Sequence, residues 1–134
     1  MNFIQLLQEH KLKATPQRIS IVEALYAKGH MNIDDIYSDL HTKFPSISLA
    51  TIYKNINTML QIGFLNEVKI PNTKNVYELA KQEHSHVVCE KCGKIVDLSL
   101  DTSKLLQEAS SKTHYELDKS SIVLEGLCQE CQQN

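Results

Sequence analysis

Two Cys-x-x-Cys pairs, Cys89-Glu-Lys-Cys92 and Cys128-Gln-Glu-Cys131, constrain this chain more than any other feature. Each is a knuckle able to bend two thiolates onto one tetrahedral ion, with Gly93 easing the turn after the first pair. The two pairs account for all four cysteines. A closed shell of four sulfurs favours structural zinc over a catalytic zinc with an open position. The competing reading is a pair of redox-active dithiols. That reading needs a Cys-x-x-Cys at the start of a helix in a βαβ unit, and neither pair has that setting. Two disulfides fit a reducing compartment poorly.

The 134 residues, 42% of them apolar, can bury one good core or two small ones, and fall short of a large catalytic domain. There is no phosphate loop and no paired acid and base, so an enzyme is not expected. No stretch reaches the roughly 18 apolar residues of a membrane span, and Met1 leads into a polar amphipathic segment. The expectation is a cytoplasmic protein without membrane contact. Residues 1 to 80 carry 8 Lys+Arg against 7 Asp+Glu, and residues 81 to 134 carry 6 against 9. A mildly basic first half and an acidic second half fit nucleic acid at the first, without deciding for it.

Along the chain the apolar period is helical first. Phe3, Ile4, Leu6 and Leu7 predict a short helix ending near His10-Lys11. Thr15-Pro16 opens a second helix that Gly29 stops. Asn32 caps a third, with Asp34 and Asp35 in its first turn and Ile33, Ile36, Tyr37 and Leu40 on its buried stripe. Ser48 opens a fourth, whose apolar face is Leu49, Ile52, Ile56, Met59 and Leu60 and whose end is Gly63. Its solvent side offers Thr51, Tyr53, Lys54 and Asn55. The period then changes: 64–70 and 76–79 are strand-like and flank the turn Pro71 to Asn75, which predicts a hairpin or wing. Helices followed by a hairpin is the order of a winged helix-turn-helix, with the fourth helix as the candidate reader of a DNA major groove.

The expected fold is therefore α+β, in three parts. Residues 1–80 form a winged-helix DNA-binding domain, 81–85 a hinge, and 86–134 a small α/β dimerisation and metal-binding domain with a four-cysteine zinc site. Strands near 86–89 and 94–98 bracket the first knuckle, Asp101 or Thr102 caps a helix carrying Leu105, Leu106 and Ala109, and 121–127 reads as a final strand. So small a domain, with few large apolar groups, needs metal and a partner subunit for stability.

A second ligand cluster lies beside the first knuckle. Glu78, His84, His86 and Asp97 offer nitrogen and oxygen donors. His84 and His86 share a face if extended, and Asp97 falls opposite them on the return strand. His10, His41 and His114 have no such company and read as solvated or locally hydrogen-bonded groups.

Over nearly its whole length the chain resembles the ferric uptake regulator (Fur) family. The resemblance is carried by Leu12-Lys13-Ala14-Thr15-Pro16-Gln17-Arg18, by His30 with Asp34-Asp35-Ile36-Tyr37, by the run from Phe44 to Asn55, and by His84-Ser85-His86 leading into both cysteine pairs. It implies a homodimer on a pseudopalindromic operator in double-stranded DNA. Tyr53 and Lys54 would approach the major groove and Lys13 the minor groove, among DNA-facing positions that also include Thr15, Gln17, Arg18, Ser48, Ala50, Thr51 and Asn55. It further implies that His30, Glu78, His84, His86 and Asp97 jointly hold a regulatory ion, with no organic cofactor. Three imidazoles and two carboxylates without thiolate suit Fe(II) or Mn(II) better than zinc or copper(I).

Within the family, Asp97 is similar to the aspartate of peroxide-responsive (PerR-type) members, where iron-homeostasis members typically carry glutamate. Glu78 is the reverse, standing where peroxide sensors carry aspartate. The expectation is a metal-dependent repressor that senses peroxide through oxidation of a ligand histidine, with an Fe(II)-responsive iron-homeostasis repressor as the alternative.

Overall fold

The structure, a computed structural model, describes residues 2–133. The chain divides into two compact units, Met1–Lys81 and Gln82–Asn134.

The first unit runs α1 (Phe3–Glu9), α2 (Pro16–Lys28), β1 (Met31–Asn32), α3 (Ile33–Lys43), α4 (Leu49–Ile62), β2 (Leu65–Val68) and β3 (Val76–Leu79). Its helices start where short polar side chains can accept the orphan N–H groups of a first turn. Thr15 Oγ1 accepts from the Arg18 N–H at 3.3 Å, Asn32 Oδ1 from Asp35 at 2.9 Å and Ser48 Oγ from Thr51 at 3.1 Å. α4 ends at Gly63, whose φ of +83° is left-handed and lets the Phe64 N–H reach back to the Met59 carbonyl at 2.9 Å. The helices close on one apolar core that includes Leu7, Ile21, Leu25, Ile36, Leu40, Ile52, Ile56 and Met59, all essentially inaccessible. α4 departs from the sequence expectation at Leu49, which is exposed, so its buried stripe begins at Ile52.

The wing is a three-stranded antiparallel sheet in the order β1-β3-β2, with Leu65 opposite Leu79 and Val68 opposite Val76. Its third strand goes beyond the expected hairpin: β1 has two residues, pairing Met31 with Tyr77 and Asn32 with Val76. Two residues carry no period, so no pattern announces them.

The second unit runs β4 (Ser85–Cys89), β5 (Ile95–Leu98), α5 (Ser103–Thr113), β6 (Val123–Gly126) and α6 (Gln129–Gln132). Its sheet has the order β5-β4-β6, antiparallel between β4 and β5 and parallel between β4 and β6. Asp101 holds the start of α5, its Oδ1 accepting from the Ser103 N–H at 3.1 Å and the Ser103 hydroxyl at 2.7 Å. No residue of α5 is buried, Leu105 is 55% exposed, and Val96, Tyr115, Leu124 and Leu127 are exposed as well. The unit's own apolar burial is confined to the central strand around Val88 and Cys89.

Candidate metal centres and nucleic-acid surface

In the second unit the parallel register places Cys89 opposite Gly126, and therefore beside Cys128. The Cys92 and Cys128 sulfurs are 3.9 Å apart, and all four sulfurs lie within 4.8 Å of one another. Bonds of about 2.3 Å to a tetrahedral zinc set sulfur separations of about 3.8 Å, so the cluster has the dimensions of a four-thiolate zinc site. Gly93, with φ +79°, closes the first knuckle by donating its N–H to the Cys89 carbonyl at 2.9 Å.

The electrostatics point the same way. Backbone N–H groups of Cys92 and Cys128 donate to Cys89 Sγ at 3.5 and 3.4 Å and lower its thiol to about 6. Cys131 is pushed up to about 12, first by the neighbouring Cys128 sulfur and then by burial. Four sulfurs this close cannot all be thiolates by themselves, and a divalent cation is what removes that conflict.

The histidines and carboxylates form two sets, one in each unit. In the first unit, His30 lies between the end of α2 and β1, and its Nε2 is 3.0 Å from Oε2 of Glu78, a β3 carboxylate whose side chain is 2% exposed. A carboxylate so buried needs a cationic partner or a shared proton. In the second unit, β4 and β5 pair His86 directly with Asp97. Asp97 Oδ1 is 3.4 Å from His86 Nε2 and 3.7 Å from His84 Nε2, and the two imidazole rings meet edge to face at 4.5 Å. These separations exceed a normal hydrogen bond and match donor atoms placed about 2.1 Å from a common ion. His84 Nδ1 lies 2.8 Å from the Gln82 carbonyl, to which it can only donate. That contact makes Nδ1 a donor and turns Nε2 toward Asp97, the orientation a ligating imidazole needs.

The candidate nucleic-acid surface lies in the first unit. Ala50, Thr51, Tyr53 and Lys54 on α4 and Lys13 before α2 are exposed. Ser48 and Thr15 serve as N-caps, and the Ser48 and Thr51 hydroxyls share a hydrogen bond of 2.9 Å. Gln17, Arg18 and Asn55 are half-buried. Arg18 Nε donates to Asn55 Oδ1 at 3.0 Å and its Nη1 to the Lys13 carbonyl at 3.1 Å.

The sequence profile of the Ferric uptake regulator family matches residues 9–131. The chain belongs to the ferric uptake regulator family. This Fur-family chain is 33% identical over 130 residues to the peroxide operon regulator of Bacillus subtilis (strain 168), covering 96% of the chain and 90% of that relative. It is 34% identical over 131 residues to the peroxide-responsive repressor PerR of Staphylococcus saprophyticus, covering 96% of the chain and 88% of the relative. Among solved structures, the Campylobacter jejuni peroxide stress regulator superposes with a TM-score of 0.71 at 38% identity, covering 98% of this chain and 100% of that one. No described helix is long and apolar enough to cross a membrane.

Several contacts that shape these Fur-family sites left no trace in the sequence. The Gln82 carbonyl behind His84 is a backbone group, which residue type does not reveal. The Arg18 to Asn55 bridge joins positions 37 residues apart. Two ties on the wing, Lys74 with Asp34 and Asn75 Nδ2 to Glu67 Oε2 at 3.1 Å, likewise join ordinary surface residues. Of the histidines outside the ligand cluster, His10 bonds the Leu6 carbonyl through Nδ1 at 2.9 Å and packs edge-on to Phe64, and His41 lies against Tyr37.

Proposed function

We propose that this chain is a dimeric, metal-dependent repressor of transcription that leaves its operator when peroxide reaches its regulatory iron site. The observation that carries the reading is the convergence of His84 and His86 Nε2 on one oxygen of Asp97, in a chain whose relatives include regulators named for peroxide.

The four-cysteine cluster would hold structural zinc, tying β4 to the segment after β6. His30 and Glu78 supply two donors and His84, His86 and Asp97 three. Neither set alone fills the five or six positions that Fe(II) or Mn(II) prefers, and the resemblance to the Fur family implies one ion held jointly by all five residues. Such an ion favours whichever arrangement of the two units lets all five donors reach it, and only that differential binding can drive a switch. Fe(II) held by these residues would supply the electrons that reduce peroxide. Around it, His30 and His84 are the imidazoles on which the oxidant would act, and loss of a nitrogen donor weakens the hold on the ion.

Dimer formation is supported by α5, amphipathic yet without a buried residue, and by the exposed Val96, Tyr115 and Leu124. The DNA-facing set is Lys13, Gln17, Ala50, Thr51, Tyr53 and Lys54, with Ser48 and Thr15 presenting helix N-termini to phosphate. Cytoplasmic DNA is the matching location. A second reading, an iron-homeostasis repressor, is favoured by Glu78, the carboxylate of that subgroup.

The deciding experiment loads zinc-bound protein with Fe(II) anaerobically, adds stoichiometric peroxide, and reads operator binding together with peptide masses around His30 and His84. One added oxygen with loss of DNA binding is expected. Binding that requires Fe(II) but survives peroxide with unmodified histidines would establish the iron-level reading instead.

A further inference from the structure

Arg18 is the only arginine in the chain. In a DNA-binding fold a lone arginine invites assignment to guanine or phosphate. Its guanidinium is instead engaged by the chain itself. Nε donates to Asn55 Oδ1 at 3.0 Å in a partly buried setting, and Nη1 donates to the Lys13 carbonyl at 3.1 Å at the surface. Asn55 is spent in the same direction: while its oxygen accepts from Arg18, its Nδ2 donates to the Thr51 carbonyl at 3.1 Å. Thr51 in turn donates its N–H to the Ser48 cap at 3.1 Å. A continuous chain of directional bonds therefore runs from the Lys13 backbone through Arg18 and Asn55 into the first turns of α4.

We propose that Arg18 and Asn55 are positioning residues for DNA recognition, a polar strut that sets the Lys13 segment and the exposed face of α4 at a fixed spacing. The proposal rests on the reading of Lys13 and α4 as the DNA-contacting surface. The apolar core holds α4 through Ile52, Ile56 and Met59, but apolar packing is non-directional and tolerates small rotations. The strut does not, because a planar guanidinium offers its donors in a rigid fork and its bonds are charge-assisted. It fixes Lys13 through the backbone carbonyl, leaving the lysine side chain exposed for its own contact. Lysine at position 18 would keep the charge and lose the fork.

The test uses the full chain loaded with zinc and Mn(II), a duplex enriched by the wild type from a randomised pool, and a random-sequence duplex of equal length. Arg18→Lys and Asn55→Ala should each weaken binding to the enriched duplex about tenfold, the scale of a charge-assisted hydrogen bond lost from a partly buried site. Random-sequence binding should change less than about twofold, and the slope of log affinity against log salt should hold, because no phosphate contact is removed. The double variant should bind no worse than the worse single one, since both break the same strut.

Asn55→Ala also places a good helix former in α4, which keeps the test open if the arginine variant melts early. A salt slope shallower by about one, with parallel losses on both duplexes, would mark Arg18 as a phosphate ligand and overturn the strut. Additive losses, full rescue by lysine, or wild-type binding by Asn55→Ala would overturn it as well. Failure to enrich any duplex would overturn the DNA-binding reading and the strut with it.

Discussion

Two imidazole nitrogens face one oxygen of Asp97, at 3.4 and 3.7 Å, and the length of that side chain decides where an ion between them can sit. Glutamate would carry the carboxylate a further methylene toward His84 and His86, so the donors must rearrange around any ion they share. Asp97→Glu should keep metal-dependent operator binding and raise the peroxide needed for half-release on the order of tenfold, the scale on which changes near a metal usually act. A gel shift with Fe(II) before and after graded peroxide checks this, and an unchanged midpoint would remove Asp97 from the sensing chemistry. Its position opposite His86 could be counted from the sequence, because the Cys89 to Gly93 knuckle fixes where the return strand starts and a hairpin register follows from its turn. The partners that aim the side chains could not. The Gln82 carbonyl that orients His84 is a backbone atom, and nothing in the types of Arg18 and Asn55 says that they meet.

Elements were legible where local chemistry sets them. Thr15, Asn32 and Ser48 each accept the N–H three residues on, which is why the starts of α2, α3 and α4 could be read from short polar residues ahead of apolar periods. Gly63 ends α4 on the same local logic, with φ +83° and open space where a Cβ would stand, so the backbone angle alone demands glycine. Gly63→Ala should therefore lower stability of the first unit by about 1 kcal/mol through left-handed strain without a clash, visible as an earlier melt of its helical signal by circular dichroism. An unchanged midpoint would mean that α4 can end earlier at no cost. The wing shows the opposite case: β1 exists because the edge of β3 offers partners to Met31 and Asn32, a property of the sheet and not of those two residues. α5 lies between the cases. The spacing of Leu105, Leu106 and Ala109 announced a helix, but which surface would cover it is not a local matter, and within one chain none of the three is buried.

The two units differ in how they can be stable. The first closes α1 to α4 and its sheet over a continuous apolar core. The second has a three-stranded sheet, an uncovered helix and the sulfur cluster that joins Cys89 and Cys92 to Cys128 and Cys131. Apolar burial around Val88 alone is too little to offset the ordering of some 50 residues. Zinc in the sulfur cluster, as proposed, would supply much of the balance, since structural zinc sites contribute on the order of 10 kcal/mol of apparent binding free energy. Replacing one sulfur by an oxygen leaves three thiolates and a poor fourth ligand. Cys92→Ser should accordingly give a chain that sediments as a monomer with the second unit largely unfolded, while the helical signal of α1 to α4 persists because their core needs no metal. Stripping zinc from the wild type with a chelator should reproduce that state, and returning zinc should restore the dimer only where all four cysteines are present. If Cys92→Ser sediments as a native dimer, the sheet and a partner's surface suffice for the fold, and the sulfur cluster is not what holds the second unit together.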